Sequence, residues 1–161
     1  MSGDDGHGGG PVRPVTAVVF ATAAFIALLI FALGMTSLVL DEDVVATPGL
    51  GQIPGVVASA AATAAFAGGL WAAVRRRPAS YGGSVWTALG AYLAYLAGMW
   101  ATAVATGAGL AVATSVVGRI ATGWFGVVIA LAAFVAAWGG IALVRTRAGR
   151  PRWPWEDDED E

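Results

Sequence analysis

The ionisable residues that could do chemistry lie outside the apolar stretches of this chain. The one histidine, His7, stands near Asp4 and Asp5 in a glycine-rich leader. These three side chains could ligate a metal, but a Gly-rich segment offers no preformed cage for one. A proton-coupled transporter needs an ionisable group inside the membrane, yet no carboxylate occurs from Val44 to Trp155. We therefore expect no metal, no cofactor and no proton relay.

Hydroxyl side chains occur within the apolar stretches, but no base lies near them in sequence. Nucleophilic catalysis requires such a base beside the hydroxyl, so we expect that the protein is not an enzyme. The hydroxyls are instead expected to bond a neighbouring helix or their own backbone. Tyr92 and Tyr95 could line a polar pocket with Thr102, although pairing across helices is the favoured interpretation. The hydroxyl residues concerned are Ser59, Thr63, Thr87, Thr102 and Thr106.

Two charged features lie between the apolar stretches. The acidic triplet Asp41-Glu42-Asp43 could bind a divalent cation or a basic partner, but its simpler role is to fix topology and keep a loop soluble. Arg119 could contact lipid phosphates or that triplet. A plain anchor at the membrane interface is the favoured role for it.

The C-terminal tail combines three kinds of residue in a fixed order. Four arginines within 145–152 precede a Trp-Pro-Trp motif, and six consecutive acids, 156–161, end the chain. Arginines near a membrane bind anionic headgroups, whereas acids are repelled by them. The tail is thus expected to lie on the membrane and project its acidic end, either as a docking element for a basic partner or as a solubilising end. The candidate docking residues are Trp153, Pro154, Trp155 and Glu156.

The composition places this chain in lipid. Of its 161 residues, 57% are hydrophobic and 12% are charged, against about 25% charged in soluble domains. Too few charged groups remain to cover a surface that faces water. All nine basic residues are arginine, and the absence of cysteine excludes disulfides. We expect one membrane domain that binds lipids and no nucleic acid.

The apolar runs predict an all-α membrane protein with a bundle of four transmembrane helices. The first run, Val15–Leu40, is too long for the apolar region of a signal peptide. The run Val85–Gly118 has 34 residues and would measure about 51 Å as one helix, against a hydrocarbon core of about 30 Å. It must break, most simply at Gly107-Ala108-Gly109, which leaves 109–119 as a short outer loop or interfacial segment. The predicted parts are a disordered cytoplasmic leader (1–14), spans at 15–40, 53–74, 85–106 and 123–144 within a membrane domain (15–144), and a cytoplasmic tail (145–161).

Arginine placement predicts the orientation. With the N-terminus inside, Arg119 alone lies outside, and the other eight arginines lie inside. Arginine excess marks the cytoplasmic side, so both termini are expected in the cytoplasm of a bacterial inner (plasma) membrane. Aromatic residues agree, with Trp71, Tyr81 and Trp86 at the inner interface and Trp124 and Phe125 at the outer one.

Small residues at steps of four predict the packing faces, because that spacing keeps them on one side of a helix where backbones can approach. We expect the second, third and fourth spans to form the tight core. The first span, with its bulky side chains, should face lipid or a partner. The predicted packing residues are Gly55, Ser59, Ala64, Gly68, Gly90, Ala94, Gly98, Thr102, Ala136 and Gly140.

Three features of the sequence carry a resemblance to known proteins. They are the loop that begins Leu40-Asp41-Glu42-Asp43-Val44-Val45-Ala46, the four short spans and the Pro-rich charged tail. Together they resemble small uncharacterised four-span integral membrane proteins of actinobacteria. The resemblance implies a lineage and carries no activity, cofactor or site.

These features favour a non-enzymatic accessory or scaffolding subunit that acts through helix–helix and tail contacts. Its partners would be other membrane subunits or further copies of the chain. The alternative is a small transporter or channel that forms a pore by oligomerising.

Overall fold

A computed structural model of the chain describes residues 13–44, 51–76 and 81–146. Within these ranges the chain is helical and contains no strand. Four helices are long and apolar enough to cross a membrane, which confirms the predicted all-α bundle of four membrane-spanning helices. Most of the predicted leader and tail, including the candidate docking residues 153–156, lies outside the described residues. The helices are α1 (Pro14–Leu40), α2 (Ile53–Arg75), α3 (Gly82–Ala105), α4 (Leu110–Thr122) and α5 (Trp124–Thr146).

The helix ends follow from local backbone chemistry. Pro14 and Pro54 sit in the first turns of α1 and α2, where a missing N–H removes no helical bond. Asp41 ends α1 in the left-handed region at φ 52°, and its N–H donates to the Ser37 carbonyl oxygen. Gly107, at φ +93°, follows α3. The long uncharged run Val85–Gly118 therefore breaks at the predicted glycines, because only glycine adopts that φ without strain.

The segment after this break is a helix and not a loop. In α4, Ala113, Val116 and Ile120 are buried, while Ser115 and Arg119 on the opposite side are exposed. Spacings of three and four put the buried residues on one face. Of the two alternatives predicted for 109–119, the outer loop is wrong because Leu110–Thr122 is an amphipathic helix, and the interfacial segment stays a prediction.

Two hydrogen bonds fix the direction of α4 along α3. The Trp100 Nε1–H donates to Thr114 Oγ1 at 3.3 Å, and the Tyr92 hydroxyl donates to the Ala121 carbonyl oxygen at 3.1 Å. Residue numbers thus fall along α3 as they rise along α4. The short helix runs antiparallel to α3, back from its end, before α5 begins.

The four spans alternate in direction. A Cβ at Gly83 would lie 2.8 Å from Ala73 Cβ and 3.6 Å from Ile141 Cδ1, and one at Gly140 would lie 2.8 Å from Ala21 Cβ. The start of α1, the end of α2, the start of α3 and the end of α5 therefore meet at one end of the bundle. We call it the arginine end, because the arginines it carries are Arg13, Arg75, Arg76 and Arg145.

The first helix belongs to the core, contrary to prediction. Ala21, Phe25 and Leu29 of α1 are buried in the same apolar cluster as residues of α2, α3 and α5. The Phe25 and Phe66 rings stack with centroids 4.5 Å apart. The prediction that the second, third and fourth spans form the core without the first is thus wrong. Bulky residues occur on every side of α1. One face of the helix is buried, whereas Phe31 on another face is 65% exposed.

Candidate functional site

Two of the predicted packing residues, Gly98 and Gly140, lie in close contact with neighbouring helices. A Cβ at Gly98 would sit 3.1 Å from Ala58 Cα and 3.2 Å from Ala61 Cβ. At Gly140, the added Cβ would be 2.8 Å from Ala21 Cβ and 3.0 Å from Leu70 Cδ2. Glycine at these positions allows α2 to approach α3, and α5 to approach α1 and α2, as small residues do in membrane bundles.

Five more of these residues lie inside the bundle or at its seams. Ala136 is buried in the core cluster. The half-buried ones are Gly55, Ser59, Ala94 and Thr102.

Ala64, Gly68 and Gly90 lie elsewhere. All three are exposed, and a Cβ added at Gly68 or Gly90 would meet nothing within 4 Å. The structure does not bring these three residues to a neighbouring helix of the same chain.

The buried face of α2 is one that the sequence analysis did not select. It consists of residues at steps of four, each with no exposed surface. The stripe starts with alanine and continues with bulky side chains, so a search for small residues alone misses it. Its members are Ala58, Ala62, Phe66 and Leu70.

The five hydroxyls singled out in the sequence donate to the backbone of their own helix. Ser59 Oγ donates to the Gly55 carbonyl oxygen at 2.9 Å, and Thr102 Oγ1 donates to the Gly98 carbonyl oxygen at 2.7 Å. Thr63, Thr87 and Thr106 donate to the carbonyl oxygens four residues earlier in the same way. Such bonds satisfy the hydrogen-bonding capacity of a hydroxyl locally.

The two tyrosines of α3 have different surroundings. The Tyr92 hydroxyl reaches the last turn of α4 and bonds the Ala121 carbonyl oxygen. Tyr95 is 1% exposed and packs within the core cluster. Because Thr102 bonds its own helix, pairing across helices describes Tyr92 better than a polar pocket does.

The acidic triplet is exposed at the end of α1 opposite the arginine end. Ser37 Oγ donates to the Glu42 carbonyl oxygen at 2.6 Å, and Asp41 caps the helix. Among the residues that the structure describes, no group of three or more His, Cys, Asp or Glu could hold a metal ion. The observed role within the triplet is that of Asp41, which ends α1.

Aromatic rings and guanidinium groups gather at the arginine end. The Arg145 guanidinium lies 4.5 Å from the centroid of the Tyr81 ring, and that ring stacks on Trp138 with centroids 6.1 Å apart. Arg75 lies 5.3 Å from the centroid of the Trp71 ring. Aromatic and basic residues of this kind mark the level of the headgroups in membrane proteins.

One comparison decides the family. The model of the DUF6121 family, which is described as a family of unknown function, matches residues 13–161 of the chain. The chain belongs to the DUF6121 family. No curated protein and no solved structure matches it. Membership agrees with an integral membrane protein of unknown function, and it assigns no activity to any residue.

The most distinctive surfaces of this DUF6121 chain are two exposed rows of small residues. We call the first the α2 small-residue stripe, and it comprises Ala60, Ala64 and Gly68. The α3 small-residue stripe comprises Gly90, Ala97 and Ala101. All six residues are exposed, and spacings of four and seven keep each row on one side of its helix. Both rows consist of glycine and alanine, so neither carries a polar side chain.

Proposed function

We propose that this protein is a non-enzymatic accessory or scaffolding subunit of a larger membrane assembly. It acts through helix–helix contacts and through its C-terminal tail. Its partners are other membrane subunits or further copies of the chain, with membrane lipids around them. The observation that carries the proposal is the exposure of the α2 small-residue stripe.

Small residues gain little when they face lipid. Lipid tails are as apolar as leucine, so association of helices depends on close backbone approach, which glycine and alanine permit. On α2, the Cβ of a larger residue at Gly68 would meet open space. A helix from a second protein therefore has room to dock there.

The lack of reactive groups supports a role without catalysis. The hydroxyls of Ser59 and Thr102 are bonded within their own helices. No carboxylate occurs between Val44 and Trp155 to act as a base. Binding is what the remaining surface can offer.

We further propose that both termini face the cytoplasm of a bacterial plasma membrane. The grouping of Arg13, Arg75, Arg76 and Arg145 at one end of the bundle supports this orientation through the positive-inside rule. The resemblance of the acidic outer loop supports an actinobacterial lineage. A reporter enzyme that is active only in the cytoplasm, fused after Glu161, should be active. A periplasmic reporter that is active at the same position would refute the orientation.

The docking tail is the second part of the proposal. Trp153, Pro154, Trp155 and Glu156 would engage a basic cytoplasmic surface, because acids that lipid repels remain available to a partner. Removal of 153–161 should release that partner while the membrane domain stays folded. Full retention of every partner by the truncated chain would remove the tail from the proposal.

Co-purification from the native membrane tests the whole proposal. We expect stoichiometric partners with the wild-type chain, and their loss with Gly68→Leu, because the larger side chain blocks close approach on α2. Gly34→Leu is the matched control, since Gly34 of α1 is also exposed and also has nothing within 4 Å of an added Cβ.

Two results would contradict the proposal. Equal recovery of partners with both variants would show that the α2 small-residue stripe is not the docking face. A homo-oligomer without other subunits, together with solute flux in liposomes, would identify the transporter or channel alternative instead.

A further inference from the structure

A cleft opens between α2 and α3 at the arginine end of the bundle. Its volume is about 510 Å³, within the range of sites that hold small ligands. The two helices are close together just beside it, where a Cβ at Gly69 would lie 3.3 Å from Thr87 Oγ1. Residues on its walls include Gly69, Ala72, Arg76, Gly83, Trp86 and Thr87.

Partly exposed aromatic side chains, of the kind found at the level of the lipid headgroups, surround the cleft. Trp71, Tyr81, Trp86 and Trp138 are all partly exposed around this end of the bundle. Tyr81 holds the Arg145 guanidinium against its ring. Rings with one polar edge settle where hydrocarbon meets headgroups, so the nearby cleft reaches that boundary.

The arginine that lines the cleft gives it a positive charge. Arg76 lines it and is exposed, while the neighbouring Arg75 lies over the Trp71 ring. Within the ranges that the structure describes, the carboxylates are Asp41, Glu42 and Asp43, at the opposite end of the bundle from Arg76. Gly83 brings the first turn of α3, the positive end of the helix dipole, to the same cleft. An anion fits these surroundings.

The walls of the cleft away from Arg76 are mainly apolar. Gly69, Ala72 and Trp86 expose mainly hydrocarbon, and Trp86 is 74% exposed. A free phosphate ion would lose hydration against such walls and gain nothing from them. A molecule with a charged head and an apolar chain gains from both regions.

We propose that this cleft binds an anionic phospholipid, with its phosphate at Arg76 and one acyl chain along Gly69, Ala72 and Trp86. Basic pockets between transmembrane helices at the membrane surface hold acidic headgroups in this way. The site adjoins the α2 small-residue stripe, because Ala72 lies one turn beyond Gly68 on the same face. Lipid binding needs no protein partner, so the site does not depend on the scaffolding role. It also does not depend on which side of the membrane the arginine end faces.

A lipid titration followed by native mass spectrometry tests the proposal. The full-length protein in detergent is titrated with dioleoyl phosphatidylglycerol or with dioleoyl phosphatidylcholine, which share their acyl chains. We expect one phosphatidylglycerol to bind with clear preference. Arg76→Gln should weaken that binding by about ten-fold, the loss expected for one charge-assisted hydrogen bond.

Arg75→Gln is the matched control for charge. It removes the same charge one residue away, but its guanidinium lies over Trp71 and not in the cleft. It should leave the lipid preference close to that of the wild type. Equal weakening by the two variants would overturn the site, because only diffuse attraction to the basic end would remain.

A second pair of variants tests the volume of the cleft. Ala72→Leu should weaken lipid binding although Arg76 is intact, because the larger side chain occupies part of the space proposed for the acyl chain. Ala24→Leu, an exposed position on α1, should leave binding unchanged. Circular dichroism checks the helix content of each variant. Undiminished binding by a folded Ala72→Leu protein, or equal wild-type affinity for the two lipids, would refute the proposal.

Discussion

Replacing Gly98 by alanine should loosen the contact between α2 and α3. The added Cβ would lie 3.1 Å from Ala58 Cα and 3.2 Å from Ala61 Cβ, whereas carbon atoms are in favourable contact at about 3.5–4.0 Å. The nearer obstacle is backbone, which cannot rotate away as a side chain could. The two helices must therefore separate by a few tenths of an ångström. Overpacking of this kind costs about 1–3 kcal/mol.

A matched variant separates this cost from the intrinsic effect of the substitution. Alanine favours a helix over glycine by about 0.5–1 kcal/mol, and that gain opposes the packing cost at Gly98. Gly90 lies on the same helix, and an added Cβ there meets nothing within 4 Å. Gly90→Ala should thus show the helix gain alone. We expect Gly98→Ala to be about 1–3 kcal/mol less stable than Gly90→Ala.

Reversible unfolding in mixed micelles with increasing SDS measures this difference. Far-UV circular dichroism follows the loss of structure in the wild type and both variants. Equal free energies of unfolding for Gly98→Ala and Gly90→Ala would refute the reasoning. The approach of α2 to α3 would then be adjustable, and the glycine at position 98 would have no packing role.

Two further perturbations test other contacts of the bundle. Phe25→Ala removes a ring that stacks on Phe66 at 4.5 Å and should lower the free energy of unfolding by at least about 1 kcal/mol. Phe31→Ala, at an exposed position of the same helix, should leave the free energy of unfolding unchanged. Equal losses in the two variants would argue against the stack. Tyr92→Phe removes the bond to the Ala121 carbonyl oxygen, worth about 0.6 kcal/mol in membrane proteins. Amide hydrogen exchange in α4 should therefore rise about three-fold, and unchanged exchange would show that other contacts hold this helix.

The sequence was sufficient for the spans because the hydrocarbon core imposes their length. A run of 34 uncharged residues from Val85 to Gly118 could not be one helix. The glycine at 107, which has a positive φ, marks where it ends. The constraint acts on length and hydropathy alone, so no knowledge of contacts was needed.

The role of α1 could not be predicted from hydropathy. Phe25 is buried and Phe31 is 65% exposed, yet the two side chains are identical. Lipid and protein interior are both apolar, so a membrane helix has no polar face to reveal which side packs. Only the contact with Phe66 distinguishes them.

The candidate site was partly predictable for a similar reason. On α2, small residues at steps of four form two rows, one beginning at Ala58 and one at Ala60. The first is buried and the second is exposed, and spacing alone cannot choose between them. Phe66 and Leu70 continue the buried row, so bulky residues in register with alanines are the signal that was missed.

The uncharged interior of the bundle has a consequence for its behaviour in solution. No carboxylate occurs between Val44 and Trp155, so α2, α3, α4 and α5 cannot form acid–arginine pairs with one another, and α1 has no charged residue at all. Cohesion between the helices should then be nearly independent of acidity and ionic strength. A change in pH or in salt concentration would alter the binding of lipids or partners to the protein, and would leave the helix bundle itself intact.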